Sequence, residues 1–353
     1  MRRHHTPGCR IRVRVSGSSE RFYIGGKRGR VLSESGNTLA RVTKVTVETF
    51  VSEYLRKNQP VIVTDAMRDW EALKRWTPDH LSKRFGHEQV QVYGDLFRLV
   101  GITSLSEYLT KYFGRSGTLA EGAPNFVPYV RWYSHLVADD RVPWADEVFQ
   151  QIGDDWGRPY FFPSNSFVLP HCAPSDSIDP SRDWFPARGL FISAKGARTR
   201  LHADPWSSDA LLCQAYGVKD FVMYDPAQAP YLTKGGRSVD VEAPDLQVFP
   251  DFPRARETAR DKLQPGEILL VPAGWYHHFK STSDSISLTW NFVHLCRLRE
   301  FLSYLAAGPP ETELKQLAFA YFGSPGRRPL DSDGFLATLT TSLGPHAPAH
   351  PPH

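Results

Sequence analysis

The sequence predicts a mainly β domain braced by helices, with a small barrel at its centre. Three observations carry that expectation. The segment DSISLTWNFVH (284–294) alternates strictly, with Ile286, Leu288, Trp290 and Phe292 on one face and Ser287, Thr289 and Asn291 on the other. The run EILLVP behind the Pro265-Gly266 turn reads as a buried strand. Between Leu190 and Tyr224 a strand carrying His202 is followed by a turn at Gly217 and a further strand opened by Lys219. If the apolar face of 284–294 packs against neighbouring layers, its Ser/Thr/Asn face lines the barrel. A polar lining in a small barrel suggests a ligand cavity in place of a packed core.

Residues 1–40, rich in Gly, Ser and Arg, read as a flexible basic arm with one short strand at Ile11–Val15. From Thr46, the spacing of Val47, Phe50, Val51, Tyr54 and Leu55 is helical. QPVIVTDA reads as a short buried strand, DWEALKRW and TPDHLSKRFG as helices, the second opening on Thr77 as N-cap with Pro78 in its first turn. VQVYG (90–94) is a strand and SLSEYLTKYFG (104–114) a helix closing on Gly114. FVPYVRWYSH (126–135) is a strand with Tyr129, Arg131 and Tyr133 on one face. The span from Leu136 to Arg188 is loop-rich, with a short strand expected at RPYFF, and residues 225–264 form a long connection. GWYHHF begins the next strand, and HLCRLREFLSYLAAG and ETELKQLAFAYFG are two amphipathic helices that either brace the domain or form a homodimer. The divisions are therefore a basic arm (1–40), a central domain (41–294), C-terminal helices (295–340) and a disordered tail (341–353).

Composition narrows the function classes. With 41% hydrophobic and 12% aromatic residues, the 353-residue chain has ample core for a folded protein. No apolar run approaches the roughly 18 residues needed to cross a bilayer. Four scattered cysteines without a CxxC pair argue against zinc fingers and for a reducing compartment, hence a cytoplasmic location, with nucleus or organelle left open. The formal charge of +4 is unevenly distributed: residues 1–44 hold 11 Lys and Arg against Glu20 and Glu34, so the remainder is mildly acidic. The basic arm is the one feature that suggests contact with RNA or another polyanion.

His202 and Asp204 are separated by one residue, so on a strand an imidazole and a carboxylate aim at one point. Such a pair arises about once by chance at this composition, and its context gives it meaning. His277, at the start of a strand behind a Pro-Ala-Gly-Trp-Tyr corner, can face the same cavity, while the adjacent His278 should point away. Two imidazoles and one carboxylate make the three-ligand face of non-haem iron oxygenases. Strand parity sets Lys219 beside the inward Phe221 and Met223, where an ammonium needs an anionic partner.

Together, Thr199-x-x-His202-x-Asp204, Gly217-x-Lys219, Pro265-Gly266-Glu267, Val271-Pro272-x-Gly274-Trp275-x-His277 and Asn291-Phe292 resemble the JmjC (cupin-like) 2-oxoglutarate oxygenases. PVIVTDAMRDWEALKRW resembles that family's N-terminal bracing region. The resemblance covers about Thr46 to Phe322 and implies a double-stranded β-helix of the jelly-roll or cupin type. It implies Fe(II) held by His202, Asp204 and His277, with 2-oxoglutarate and O2 at the open positions. Lys219 and Thr199 would meet the distal carboxylate of 2-oxoglutarate, Tyr129 would add a second hydroxyl, and Asn291 would lie near metal and cosubstrate. By period two Thr199 and His202 face opposite ways, so Thr199 needs a bulge to take this role. Tyr133 and Tyr160 are alternatives to Tyr129, and Trp206 and Trp275 either pack or wall the substrate entrance. Some relatives place an asparagine where this chain has SSDALLC, which brings Ser208 and Asp209 into consideration. The implied activity is hydroxylation of a protein or peptide side chain, with release of succinate and CO2. Alternatives are hydroxylation of a modified RNA base or small metabolite, and a non-catalytic cupin-like metal-binding protein.

Overall fold

Period-two alternation and turn glycines build most of this molecule. The structure, a computed structural model, describes residues 37–114, 126–133, 145–169 and 189–322, with Gly334 and Ala337. The expected strand at Ile11–Val15, almost all of the basic arm and the tail at 341–353 lie outside the described residues. In chain order come β1 (Arg41–Val42), α1 (Val47–Thr49) running into a wider helical turn at Phe50–Leu55, β2 (Val61–Val63), α2 (Ala72–Arg75) and α3 (Pro78–Phe85). Then follow β3 (Gln89–Tyr93), β4 (Leu99–Ser104), α4 (Leu105–Tyr112), β5 (Tyr129–Tyr133), α5 (Asp146–Gln151) and β6 (Phe167–Leu169). The next four strands are β7 (Gly189–Ser193), β8 (Arg198–His202), β9 (Asp209–Tyr216) and β10 (Lys219–Tyr224). After α6 (Ala229–Leu232) come β11 (Thr233–Lys234), β12 (Arg237–Ser238), β13 (Ala259–Leu263), β14 (Ile268–Val271), β15 (Tyr276–Ser281) and β16 (Ser285–His294). The helices α7 (Leu298–Ala306) and α8 (Glu311–Phe322) follow.

Two sheets form the centre. The larger runs β1-β2-β14-β9-β16-β7-β5-β3-β4, with β6 also on β16; the smaller runs β13-β10-β15-β8. Strands β7 to β10 alternate large, small, large, small; β13 to β16 alternate small, large, small, large. Two interleaved sets of four strands crossing between two sheets are a double-stranded β-helix, as expected. Ile286, Leu288, Trp290 and Phe292 of β16 pack into the main apolar cluster with the bracing residues Phe50, Trp76 and Phe85. The opposite face of β16 turns Thr289 and Asn291 into the cavity between the sheets. The alternation in the sequence is therefore read out directly as outside core and inside lining.

Capping matches the sequence: the Thr77 hydroxyl accepts from His80 N–H and Ser104 from Glu107 N–H. Gly217 adopts φ +69°, and a Cβ there would sit 1.9 Å from the Asp284 carbonyl oxygen, so this tight β9–β10 turn requires glycine. Two expectations fail. RPYFF is not a strand: Phe161 and Phe162 are instead fully buried anchors against Phe50 and Trp290. Packing of bulky rings, with Pro159 interrupting the backbone, overrides their β propensity. The connection 225–264 carries α6, the β11–β12 hairpin and β13, which completes the small sheet against β10. The polar Arg260-Asp261-Lys262 interior of β13 hides its strand character from an apolar pattern. Among the described residues no helix is long and apolar enough to cross a membrane.

Helices α7 and α8 present Leu298, Phe301, Leu302, Leu305, Leu314 and Leu317 to Val168 and Leu169 of β6 and to Trp206. They brace the domain beside the loop that carries Asp204. The N–H of Trp206 donates to a Glu313 carboxylate oxygen at 2.9 Å, tying that loop to α8.

Candidate functional site

Strand β8 delivers the first two groups. Opposite it on β15, His277 pairs with His202 and Phe279 with Thr199, so His278 alone on β15 faces both Arg200 and Leu201 of β8. This bulge is the one required by period two. It reverses the parity within the strand and turns both Thr199 and His202 into the same cavity. Beyond the strand, Asp204 is extended and Pro205 redirects the chain, while Trp206 (φ 63°) and Ser207 (φ 49°) take left-handed backbone conformations. That costly turn is held by burial of the Trp206 ring and its bond to Glu313. His277 comes from β15 after a corner clamped from two sides. Asp209 accepts from Ala273 N–H at 2.9 Å, and the Asn58 carbonyl accepts from the Trp275 indole at 2.9 Å.

His202, Asp204 and His277 converge, with ligand atoms all within 4.8 Å of one another. The Nε2 atoms of His202 and His277 stand 3.8 and 3.9 Å from one Asp204 oxygen, too far for hydrogen bonds. Each ring uses Nδ1 against a backbone carbonyl: His202 on Arg200 at 2.8 Å, His277 on Trp275 at 3.0 Å. A carbonyl only accepts, so Nδ1 carries the proton and each Nε2 lone pair points into the shared gap. Burial, then the neighbouring His277, holds His202 well below the usual imidazole range and keeps it neutral. Two imidazoles and a carboxylate fit a divalent transition metal.

The inner end of the cavity fits an anion. Lys219 is buried, and its ammonium donates to Ser287 Oγ at 2.7 Å. Burial pulls its pKa down to about 7. Tyr129 and Thr199 line the same end. The buried Tyr129 hydroxyl sits beside Thr199 and completes no hydrogen bond of good geometry among the described residues. A carboxylate there would meet an ammonium and two hydroxyls, one of them unsatisfied, which suits the far end of 2-oxoglutarate.

Asn291 also lines the cavity, and its amide donates to Ser208 Oγ at 3.0 Å. Ser208 thus reaches the site through Asn291, whereas Asp209 turns to the corner at Ala273. Tyr160 is 48% exposed and donates to Asp65, remote from the cavity. Trp206 and Trp275 are buried packing residues. His278 is buried and points away from this cavity, 3.5 Å from Glu242. Sequence reasoning missed Phe97, on the β3–β4 turn with φ 53°, whose ring packs edge-on against His202 at 4.7 Å. No periodic pattern marks a turn residue for that position. It also left Arg131, named only as a face-mate of Tyr129, without a role, although Arg131 lines the cavity.

Residues 47–297 match the family described as cupin-like domain. The chain is similar to the 2-oxoglutarate and iron-dependent oxygenase JMJD4 of Gallus gallus, 24% identical across 78% of this chain and 64% of that protein. It is similar to the arginine-specific demethylase JMJ22 of Arabidopsis thaliana, 24% identical across 76% of this chain and 49% of that one. A third relative is the tRNA wybutosine-synthesizing protein 5 of Gallus gallus, 26% identical across 71% and 76%. The chain thus spans less than two thirds of the first two. By its fold, the match over residues 47–297 and these relatives, the chain belongs to the JmjC-type, cupin-like domain family.

Proposed function

We propose that this protein is an Fe(II)- and 2-oxoglutarate-dependent hydroxylase acting on a side chain of a protein or peptide. The observation that carries the reading is one cavity lined by both the His202, Asp204 and His277 cluster and Lys219. When bound, iron supplies the activation of O2. The balanced reaction joins 2-oxoglutarate, O2 and a substrate C–H bond to give succinate, CO2 and the C–OH product. The chain's residues do the positioning. His202, Asp204 and His277 would hold the metal and leave it open to the cosubstrate. Lys219, Thr199 and Tyr129 orient the cosubstrate by its far carboxylate, and Asn291 with Ser208 borders the metal end. Leu212, Val271 and Phe279 supply apolar wall that excludes water.

The relative named as an arginine-specific demethylase favours a protein target. Demethylation would itself begin with hydroxylation of an N-methyl group, and would be told apart by formaldehyde release. A second reading, an RNA base as substrate, draws on the wybutosine-synthesizing relative and the basic arm of residues 1–40. Deleting residues 1–40 and finding RNA affinity unchanged at low salt would count against it. A cytoplasmic, reducing location completes the proposal. Anaerobic addition of Fe(II) and 2-oxoglutarate should raise a metal-to-ligand charge-transfer band, and target peptide should stimulate succinate formation while gaining one oxygen atom. Absence of the band in folded protein would sink the enzymatic reading in favour of a non-catalytic metal-binding protein.

A further inference from the structure

The geometry points to Arg131 as a second cation for the cosubstrate, holding the carboxylate of 2-oxoglutarate nearer the metal centre while Lys219 holds the far one. The inference rests on the cosubstrate reading above and extends it to a further positioning residue for the cosubstrate.

Arg131 shares a face of β5 with Tyr129, two residues away, so their side chains leave the strand about 7 Å apart along its axis. Both cations stand over one ring: the Lys219 ammonium lies 5.6 Å and the Arg131 guanidinium carbon 5.3 Å from the Phe191 centroid. They differ in what lies beyond. Lys219 is anchored at Ser287. Arg131 stacks on Phe97 at 4.0 Å, and Phe97 in turn packs against His202. Phe191 thus contacts both cations, and Phe97 bridges the guanidinium and a metal-facing imidazole. A diacid can place one carboxylate at Lys219 and the other at Arg131, on the side of the metal ligands.

Charge supports the same occupant. Lys219 and Arg131 face the cavity with Asp204 as the carboxylate among its described lining residues. A dianion can pair with both cations, a monoanion with one. Tyr93, Phe97 and Phe191 surround the guanidinium at 5.4, 4.0 and 5.3 Å, which fixes its planar fork before any ligand arrives. A lysine in that cage would keep the charge and lose the two-pronged grip.

The test is calorimetric titration of the full-length protein, loaded with redox-silent Mn(II), with 2-oxoglutarate. Arg131→Gln should weaken 2-oxoglutarate at least about tenfold, as expected for losing a charge-assisted pair, with Mn(II) affinity held within twofold. Arg131→Lys should recover part of the loss. Arg131→Met, whose side chain fits the same cage, carries the same expectation as Arg131→Gln should the glutamine variant be unstable. Wild-type protein should reject 2-oxobutyrate, which lacks the far carboxylate. If wild type binds 2-oxoglutarate and both neutral variants match it within twofold, the role of Arg131 is overturned while the cosubstrate reading stands. If the Mn(II)-loaded wild type does not bind 2-oxoglutarate, the cosubstrate reading fails and this inference with it.

Discussion

His202 and His277 face each other with ring centroids 4.2 Å apart, and each ring is fixed by the carbonyl two residues before it. The orientation of the metal-facing nitrogens is thus a property of the backbone of β8 and β15, present before any metal binds. Preorganisation of this kind predicts tight, selective loss on mutation. His202→Ala and His277→Ala should each weaken Mn(II) by at least about a hundredfold, the upper range for disturbing a ligand shell. His278→Ala, pointing away from the cavity, should leave Mn(II) affinity within twofold. Metal at a hundred times its dissociation constant should stabilise wild type by about 2.7 kcal/mol against urea. Equal metal-dependent stabilisation of the His202→Ala protein would contradict the assignment.

Lys219 makes cosubstrate binding depend on pH with a definite sign. Burial brings its folded pKa down to about 7, while the unfolded value is about 10.4. Pairing with a carboxylate needs the charged form, so affinity for 2-oxoglutarate should fall as pH rises above 7, and binding near pH 8 should take up protons. Calorimetry in buffers of different ionisation enthalpy measures that uptake. For stability without ligand, the unfolded chain binds more protons between pH 7 and 10.4, so the penalty from Lys219 is full below pH 7 and fades above it. Lys219→Met should therefore raise the unfolding midpoint at pH 6.5 while weakening 2-oxoglutarate. A lower midpoint would show that the buried ammonium is already compensated in the free protein.

Most of the site was legible because its logic is local. His202-x-Asp204, Gly217-x-Lys219 and the alternation of β16 are patterns of period two and tight turns, and each survives in the folded chain. The bulge at Thr199 to His202 was also accessible, as the one way to satisfy two roles on one strand. Phe97 and the guanidinium cage were not accessible, since they depend on β3, β4, β5 and β7 meeting across the large sheet. The same limit explains β13: its polar interior reads as a loop until β10 supplies the pairing partner. RPYFF shows the converse, a β-prone string claimed by tertiary packing of Phe161 and Phe162.

Asp209 predicts a second pH effect, opposite in origin. The carboxyl is buried, one oxygen accepts from Ala273 N–H, and the other has no hydrogen-bond partner among the described residues. Burial raises its pKa to about 7, against about 3.9 unfolded. The folded state therefore binds more protons between those values, and its stability should decline as pH rises from about 4 to 7. Asp209→Asn retains an acceptor for Ala273 and removes the ionisation. It should flatten that decline in urea melts and stabilise the protein at pH 7.5, by up to a few kcal/mol. An unchanged pH profile would place the titration elsewhere.

Trp206 links the C-terminal helices to the loop that carries Asp204. Its ring is buried among Leu298, Leu302 and Leu317, its N–H is held by Glu313, and its own backbone is left-handed two residues after Asp204. Truncating the ring removes the burial that offsets this strained turn. Trp206→Ala should cost about 3–5 kcal/mol, the usual range for a buried aromatic, and free Asp204 to swing. Glu313→Gln is the milder probe: it keeps the acceptor at the turn, removes one charge from the bond, and should cost about 1 kcal/mol. If the turn positions Asp204, Mn(II) affinity should fall in Trp206→Ala measured at low temperature, where the fold persists, and less so in Glu313→Gln. Loss of stability with unaltered Mn(II) affinity would instead make Trp206 a packing residue without influence on the ligand it follows.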